Sequence, residues 1–194
     1  DRIDRLEAFA NGWIQVQDEA AQLVGRFLAP RPGEKILDAC AGLGGKTACL
    51  AQLMENTGGI LAVDKDARKL DRLVTDMERL GITIVKTADR DIRQPSQMKE
   101  LGEFDRVLAD CPCSGLGVLR RNPDTKWSVA AEDLPRYHHK QVAFLQGLAD
   151  RVRPGGVLLY VVCSREPEEN EAVVSSFLNL HSEFDIDKNT TNWC

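Results

Sequence analysis

Short apolar runs rich in β-branched residues alternate along this chain with longer segments in which apolar positions recur every three or four residues. The runs at 35–40, 59–64, 82–86, 104–110 and 156–163 predict five strands. The segments 47–56, 66–80, 132–153 and 168–181 predict helices. The last of these starts after Pro167 with acidic residues in its first turn, as helix starts prefer. A further helix over 18–28, ending at Pro30, precedes the first strand. Strands that are apolar nearly throughout are buried on both faces, so strand–helix alternation implies a parallel sheet covered on both sides. Right-handed crossovers then give an α/β, doubly wound, mostly parallel sheet of Rossmann-like form. Phe184-Asp185-Ile186-Asp187 reads as the start of a sixth strand, and Thr190-Thr191-Asn192-Trp193-Cys194 does not complete a hairpin with it. Residues 1–30 are therefore expected to form a lead-in and helix, and 31–194 the main domain, cut short at its C-terminal end.

Composition narrows the class. A chain of 194 residues suits one domain with a full core. Its 43% apolar and 28% charged residues fit a soluble globular protein, and its apolar runs of about eight residues fall short of a membrane span. The opening Asp1-Arg2-Ile3-Asp4-Arg5 has no signal-peptide core and reads as an internal fragment. Cysteines 40, 49, 111, 113, 163 and 194 lie mostly in or at the ends of apolar runs, as reduced cytosolic thiols do. A cytoplasmic monomer without membrane contact is expected. The net charge of −5 argues against a basic nucleic-acid binder overall and leaves room for a local basic patch.

The first strand runs into Asp38-Ala39-Cys40-Ala41-Gly42-Leu43-Gly44-Gly45-Lys46-Thr47. Glycines at a strand-to-helix turn let the backbone approach a ligand. A P-loop fits at Gly45-Lys46-Thr47 but needs Gly where Cys40 stands, and a dinucleotide fingerprint fits at Gly42 and Gly44 but needs Gly where Thr47 stands. The remaining reading is S-adenosylmethionine (SAM), which has no phosphate. In that reading Asp64, closing the second strand, bonds the ribose hydroxyls, and Asp89, after the third, meets the adenine. The competing structural reading is an ordinary tight turn, with Asp64 capping the next helix.

Two thiols lie at the ends of the fourth and fifth strands, in Asp110-Cys111-Pro112-Cys113-Ser114-Gly115 and Tyr160-Val161-Val162-Cys163-Ser164. Ligands of open parallel sheets bind outside the carboxyl ends of the strands, so both thiols are expected to face one cleft. Amino-group methyltransferases place an aromatic after the fourth strand, where this chain offers thiols. A thiolate is a soft nucleophile favoured by cationic surroundings. Carbon-5 of a pyrimidine is a poor nucleophile until a thiolate adds to carbon-6, after which the ring can take a methyl group from a sulfonium. Two cysteines suit that cycle, one to form the adduct and one to help resolve it, with Asp110 bonding the cytosine edge near N3. The residues alone do not rank the two thiols. Cys40, Cys49 and Cys111 read as small buried hydrophobes, and a redox pair of Cys113 with Cys163 remains an alternative. A metal is not expected, because Cys-Pro-Cys lacks a partner motif and the adjacent His138 and His139 point in different directions on a helix.

Taken in order, 40–47, Asp64, Asp89, 110–115 and Cys163-Ser164-Arg165-Glu166-Pro167-Glu168-Glu169-Asn170-Glu171 resemble the RNA cytosine-5 methyltransferases of the RsmB type, also called Sun or Fmu. Segments 119–127 and 12–18 are also similar to that family, so the resemblance runs from Gly12 to Glu171. It implies a class I SAM-dependent methyltransferase fold and action on small-subunit ribosomal RNA. It further implies that Cys40, Ala41, Gly42, Leu43, Gly44, Gly45 and Lys46 line the methionine and ribose side of SAM. Asp64 holds the ribose, Asp89 lies by the adenine, and Asp110 lies between cofactor and base. Cys163 is the nucleophile and Cys113 assists product release. Leu43 replaces the family's usual Pro and Val162 its usual Thr, and neither removes a reacting atom. The family's N-terminal helical RNA-binding domain is not in this sequence.

RNA phosphates call for cations beside the cleft, with Arg120, Arg121, Lys126, Arg136 and Lys140 as candidates and Trp127 as a stacking platform. Each is equally readable as ordinary solvated surface. The expected activity is methylation of cytosine carbon-5 in RNA. The other classes are a nicotinamide-dependent oxidoreductase, disfavoured by Thr47, and a non-catalytic RNA-binding module of methyltransferase fold, disfavoured by the intact thiols.

Overall fold

The computed structural model describes residues 2–187. Five strands, β1 (Lys35–Asp38), β2 (Gly59–Asp64), β3 (Val85–Asp89), β4 (Phe104–Asp110) and β5 (Val152–Val161), form one sheet in the order β3-β2-β1-β4-β5. Every neighbouring pair is parallel. The chain runs outward from β1 to β3, then crosses back to place β4 on the other side of β1. The loops after β1 and β4 therefore diverge at the carboxyl edge and open a cleft there. This is the doubly wound sheet that the alternation of runs implies.

Helices cover both faces because both faces are apolar. Along β1 and β4, successive side chains point to opposite sides. Ile36 and Leu108 pack with Val24 and Leu28 of α1 (Glu19–Leu28) and Leu50, Ala51 and Met54 of α2 (Gly45–Leu53) and its end. Leu37, Val107 and Ala109 pack with Phe144, Leu145 and Leu148, and with Val173 and Phe177, which belong to α4 (Leu134–Ala149) and α5 (Glu171–Leu180). Ala62 of β2 completes a third cluster with Leu70, Leu73 and Met77 of α3 (Ala67–Arg79). Two of these helices start on aspartate caps: Asp18 accepts from the Ala20 N–H at 2.9 Å and Asp66 from the Arg68 N–H at 3.1 Å. α1 stops where Ala29 turns left-handed at φ 49°, one residue before Pro30.

Several boundaries differ from the expectation, and three of the differences have a clear physical cause. β3 pairs over 85–89 rather than 82–86, with Val85 opposite Ile60 and Asp89 opposite Asp64. Ile82 and Ile84 pack against the core from the approach to the strand, where the Thr83 N–H is held by the Asn56 side chain at 3.0 Å. Ile84 gives the ladder only its carbonyl, which accepts from the Ile60 N–H at 2.8 Å, so partial burial rather than strand register accounts for their apolar spacing. α4 ends at Ala149, and Val152 already opposes Phe104, so the last positions of the expected helix 132–153 belong to β5. Pro154 is tolerated in that strand beside the register irregularity between Phe104 and Arg106. Residues 184–187 form no strand, and Phe184 instead packs edge-on against Phe177 with ring centroids 5.1 Å apart. The segment 190–194, including Cys194, lies outside the described residues.

The turn from β1 into α2 needs glycine at two places. Gly42 and Gly44 have φ of 56° and 85°, a region costly for any residue with a Cβ. At Gly44 an added Cβ would also sit 2.6 Å from Leu73 Cγ, whereas at Gly42 it meets nothing within 4 Å. Gly42→Ala is expected to cost about 1–2 kcal/mol from backbone strain alone, and Gly44→Ala to cost about 1–3 kcal/mol more through overpacking. Urea unfolding of the two variants checks this, and equal losses would refute the Leu73 contact as a constraint.

Candidate active site

The register of β4 with β5 places Asp110 opposite Val161, and the Cys111 N–H continues the ladder by donating to the Val161 carbonyl at 2.9 Å. Cys113 follows the end of β4 and Cys163 the end of β5. Two adjacent parallel strands thus deliver both thiols to one spot, with the sulfurs 2.9 Å apart. The Cys163 N–H donates to the Cys113 sulfur at 3.3 Å. The Cys163 carbonyl accepts from the Gly117 N–H at 3.0 Å, and a Cβ at Gly117 would lie 3.0 Å from that carbonyl oxygen. A side chain there would make the Cys163 carbonyl give way by a few tenths of an ångström.

The two sulfurs are electrostatically unequal. Cys163 is exposed and Cys113 half-buried. A hydrogen bond donated by Cys113 draws Cys163 down to about 7, against burial and the nearby Asp110 charge, with help from the Lys46 ammonium. The same bond, together with burial, pushes the Cys113 thiol well above the usual range. The pair therefore gives up its first proton near neutral pH, from Cys163, while Cys113 keeps its own. The remaining cysteines behave otherwise: burial drives Cys40 up to about 12 and Cys111 higher still, so both stay protonated.

Beside the thiols, Lys46 Nζ donates to Asp110 Oδ2 at 2.6 Å, joining the start of α2 to the end of β4. Beneath this pair Asp38 is buried, accepts from the Thr47 hydroxyl at 2.7 Å, and is raised to about 6 by burial. Asp64, also buried, accepts from the Gly42 N–H at 3.0 Å and the Asp66 N–H at 2.9 Å, one on each oxygen. A cavity of about 220 Å³ opens along the carboxyl ends of β2, β1 and β4, lined by Cys40, Asp64, Lys65, Asp91, Ile92 and Pro112 among others. It lies below the usual 300–1,000 Å³ of a small-molecule site, so a ligand held there extends into the open cleft beside it.

Not every candidate from the sequence converges here. Of the glycine turn, Cys40 lines the cavity, Gly42 bonds Asp64, and Lys46 reaches Asp110. Ala41 is buried in the core, Gly44 packs on Leu73, and Leu43 stands exposed. Gly45 lines a separate cavity of about 560 Å³ beneath the lead-in, with Trp13 and Gln17. Asp89 ends β3 with its side chain exposed and does not line the 220 Å³ cavity; Asp91 and Ile92, just beyond it, do. Arg121 pairs with Asp18 and so ties the loop after β4 to the start of α1, while Lys126 lies 4.4 Å over the exposed Trp127 ring. Arg136 pairs with Asp133 at 2.9 Å, Lys140 lines the cavity, and Arg120 is exposed with no ion pair among the described residues.

Several residues were not singled out from sequence. Asp91 and Ile92 sit in a loop without periodicity, and the charge of Asp91 looks like any solvated one; its carboxyl is held low by the Arg93 guanidinium. Glu169 reads as one member of an acidic helix start, yet it is fully buried behind the two cysteine loops. The one available signal is its place in an acidic run six residues after Cys163. Among the described residues no group of three His, Cys, Asp or Glu side chains is placed to hold a metal ion, and no helix is long and apolar enough to cross a membrane.

Known proteins share this arrangement of elements. The ribosomal RNA small subunit methyltransferase B of Vibrio cholerae is 42% identical over 178 residues, covering 91% of this chain and 40% of that protein. Its counterpart in Salmonella arizonae is 42% identical over 177 residues, covering 91% and 41%. This chain thus spans about two fifths of the length of these curated relatives. The crystal structure of NSun6 from Pyrococcus horikoshii, determined with SFG, an analogue of SAM, is 32% identical and superposes with a TM-score of 0.84 over 93% of this chain and 46% of that one. Residues 25–193, nearly the whole sequence, match the family described as 16S rRNA methyltransferase RsmB/F, and the chain belongs to that family.

Proposed function

We propose that this chain is the catalytic part of a SAM-dependent methyltransferase that modifies carbon-5 of a cytosine in RNA, with small-subunit ribosomal RNA as the substrate class. The observation that carries the reading is the contact of Cys113 with Cys163 at one end of a cleft whose other end is the Asp64 cavity. The names of the family and of its relatives support a ribosomal RNA substrate.

The residues present fit SAM better than a dinucleotide. The Gly42 N–H, which a phosphate-binding turn would aim at its ligand, is spent on Asp64, and that carboxylate would repel a pyrophosphate. Each Asp64 oxygen keeps a lone pair for a ribose hydroxyl. Asp91 and Ile92 line the cavity, which supports them as adenine contacts beyond the end of β3, where Asp89 stands exposed. When bound, SAM supplies a methyl carbon made electrophilic by its sulfonium.

The protein's own groups then divide the work. The Cys163 thiolate adds to cytosine carbon-6, forming a C–S bond and moving an electron pair toward carbon-5 and N3. Asp110, paired with the Lys46 ammonium, accepts from the exocyclic amino group beside N3, and the ammonium offsets the charge that develops on that edge. Carbon-5 would use that electron pair to bond the methyl carbon as the bond from that carbon to the sulfonium breaks, the pair of the broken bond staying with the sulfur. Once the Cys163 charge is consumed in the C–S bond, Cys113 no longer donates to a thiolate; its proton passes to solvent, and the resulting thiolate is available as a base. It takes the carbon-5 proton, the C–S bond breaks, and Cys163 leaves as a thiolate. Arg120 and Lys126, beside this cleft, are the proposed phosphate contacts. Arg121 serves less well, since Asp18 already holds it.

Transfer of labelled methyl from SAM to unmodified small-subunit ribosomal RNA should fall at least about 10³-fold in Cys163→Ala. Undiminished turnover would end the thiol mechanism, and RNA binding without transfer by the unaltered protein would favour the non-catalytic module. In Cys113→Ala a covalent protein–RNA adduct should accumulate on a denaturing gel, and its absence would remove the proposed base. Iodoacetamide alkylation of Cys163 should rise with pH through a midpoint near 7. In Cys113→Ala the donor is gone, so that midpoint should move up toward an ordinary thiol value of about 8.5.

A further inference from the structure

Behind the two thiols lies a carboxylate that the mechanism above does not use. Glu169 is wholly buried, and among the described residues no lysine, arginine or histidine bonds to it. Its Oε1 accepts from the Ser114 N–H at 2.9 Å and from Gln141 Nε2 at 2.8 Å. Its Oε2 accepts from the Ser114 hydroxyl, which lies 3.2 Å from the Ser164 hydroxyl. Its carbonyl accepts from the Tyr160 hydroxyl at 2.7 Å. Ser114 follows Cys113 directly, and Ser164 follows Cys163 directly. Gln141 reaches across from α4 and also donates to the Pro112 carbonyl at 3.2 Å, on the other side of Cys113. Asn170, next in chain, donates to the carbonyls of Ser164 at 3.2 Å and Glu166 at 2.8 Å.

A buried charge without a counter-ion is an expensive way to fasten two loops, tolerable only when donors surround it. Here burial works against ionisation and is outweighed by bonds from Ser114, Ser164 and Gln141, which keep the carboxyl low. Charge-assisted bonds are shorter and about twice as strong as neutral ones. They are what an element needs if a sulfur–sulfur distance, rather than mere loop closure, is to be held.

We propose that Glu169 is a positioning residue whose buried carboxylate clasps the Cys113 loop to the Cys163 loop and sets the contact between the two thiols. The proposal rests on the two-thiol reading above but concerns the thiols themselves, so it can be tested without RNA. The carboxylate touches neither sulfur. It acts through Ser114 and Ser164, and its loss would let Cys113 drift out of donating range.

The test is Glu169→Gln, which keeps size and one acceptor oxygen but turns an amide N–H₂ toward the Ser114 hydroxyl or the Ser114 N–H. Circular dichroism and SAM calorimetry should stay close to those of the unaltered chain, because Glu169 itself does not line the Asp64 cavity, although its partner Gln141 does. The pH midpoint for Cys163 alkylation should rise by about one unit, so the alkylation rate at pH 7 falls several-fold, as expected when a thiolate loses a hydrogen-bond donor. If methyl transfer is present, it should fall about tenfold at pH 7 and recover partly at pH 9, where solvent alone ionises the thiol. A merely structural role would lower stability and leave that pH midpoint in place. An unchanged Cys163 profile in a folded Glu169→Gln chain overturns the proposal. Should that variant not fold, Ser114→Ala removes one donor from the clasp while keeping the backbone bond. A smaller rise of the midpoint there supports the proposal, and an unshifted one overturns it. A shifted thiol profile in a chain that transfers no methyl to RNA would retire the cytosine-5 reading and leave the clasp standing.

Discussion

The parallel pairing of β4 with β5 is the constraint on which the site depends. It puts Asp110 level with Val161, so the turns that leave the two strands start side by side. Everything reactive follows from that level start: Asp110 at the strand end, Cys113 and Cys163 in contact beyond it, and Gly117 threading against the Cys163 carbonyl. A slip of one residue would turn every side chain of β5 to the opposite face of the sheet. It would exchange the faces presented by Leu158 and Leu159, which pack into different clusters. The helices on both sides, by burying those faces, hold the register that brings the thiols together.

Four carboxylates near the cleft are each stabilised differently, and the differences sort their roles. Asp38 sits beneath the floor with one hydroxyl donor and is raised to about 6 by burial, which fits a group that braces the start of α2. Asp64 is satisfied by backbone N–H groups from two turns and keeps its remaining lone pairs toward the cavity. Asp110 faces the cleft, paired with a lysine that also favours the Cys163 thiolate. Glu169 is enclosed by donors behind the thiols. Exposed, partly solvated groups can meet a substrate, whereas a fully enclosed one can act only through what it holds.

The lead-in is joined to this arrangement rather than hanging from it. Val24 and Leu28 of α1 belong to a core cluster, and Asp18 at its start pairs with Arg121 from the loop after β4. Arg79 on α3 donates to the Phe9 carbonyl at 2.9 Å and lies 3.9 Å over the Phe9 ring. The stretch before the first strand therefore packs against the domain at both the sheet and the cleft loop. The similarity to the curated relatives likewise covers 91% of this chain.

The alternation of apolar runs with helical spacing was enough to determine a doubly wound sheet, because each strand and helix advertises its period within a few residues. The glycine turn, the strand-end aspartates and the two Cys motifs were legible for the same reason, since each is a local pattern. Boundaries were not: Ile82 and Ile84 look like strand residues because they are partly buried, and only pairing with β2 shows that the ladder starts at Val85. Nor was the inequality of Cys113 and Cys163 legible, because it arises from a contact between residues 50 apart. That Asp91 lines the cavity and Asp89 does not, that Arg121 pairs with Asp18, and that Glu169 lies buried behind the thiols depend on tertiary contacts in the same way. A side chain's period along the chain tells which way it faces. Its charge state and task depend on which distant donors, acceptors and solvent it meets once the sheet has closed.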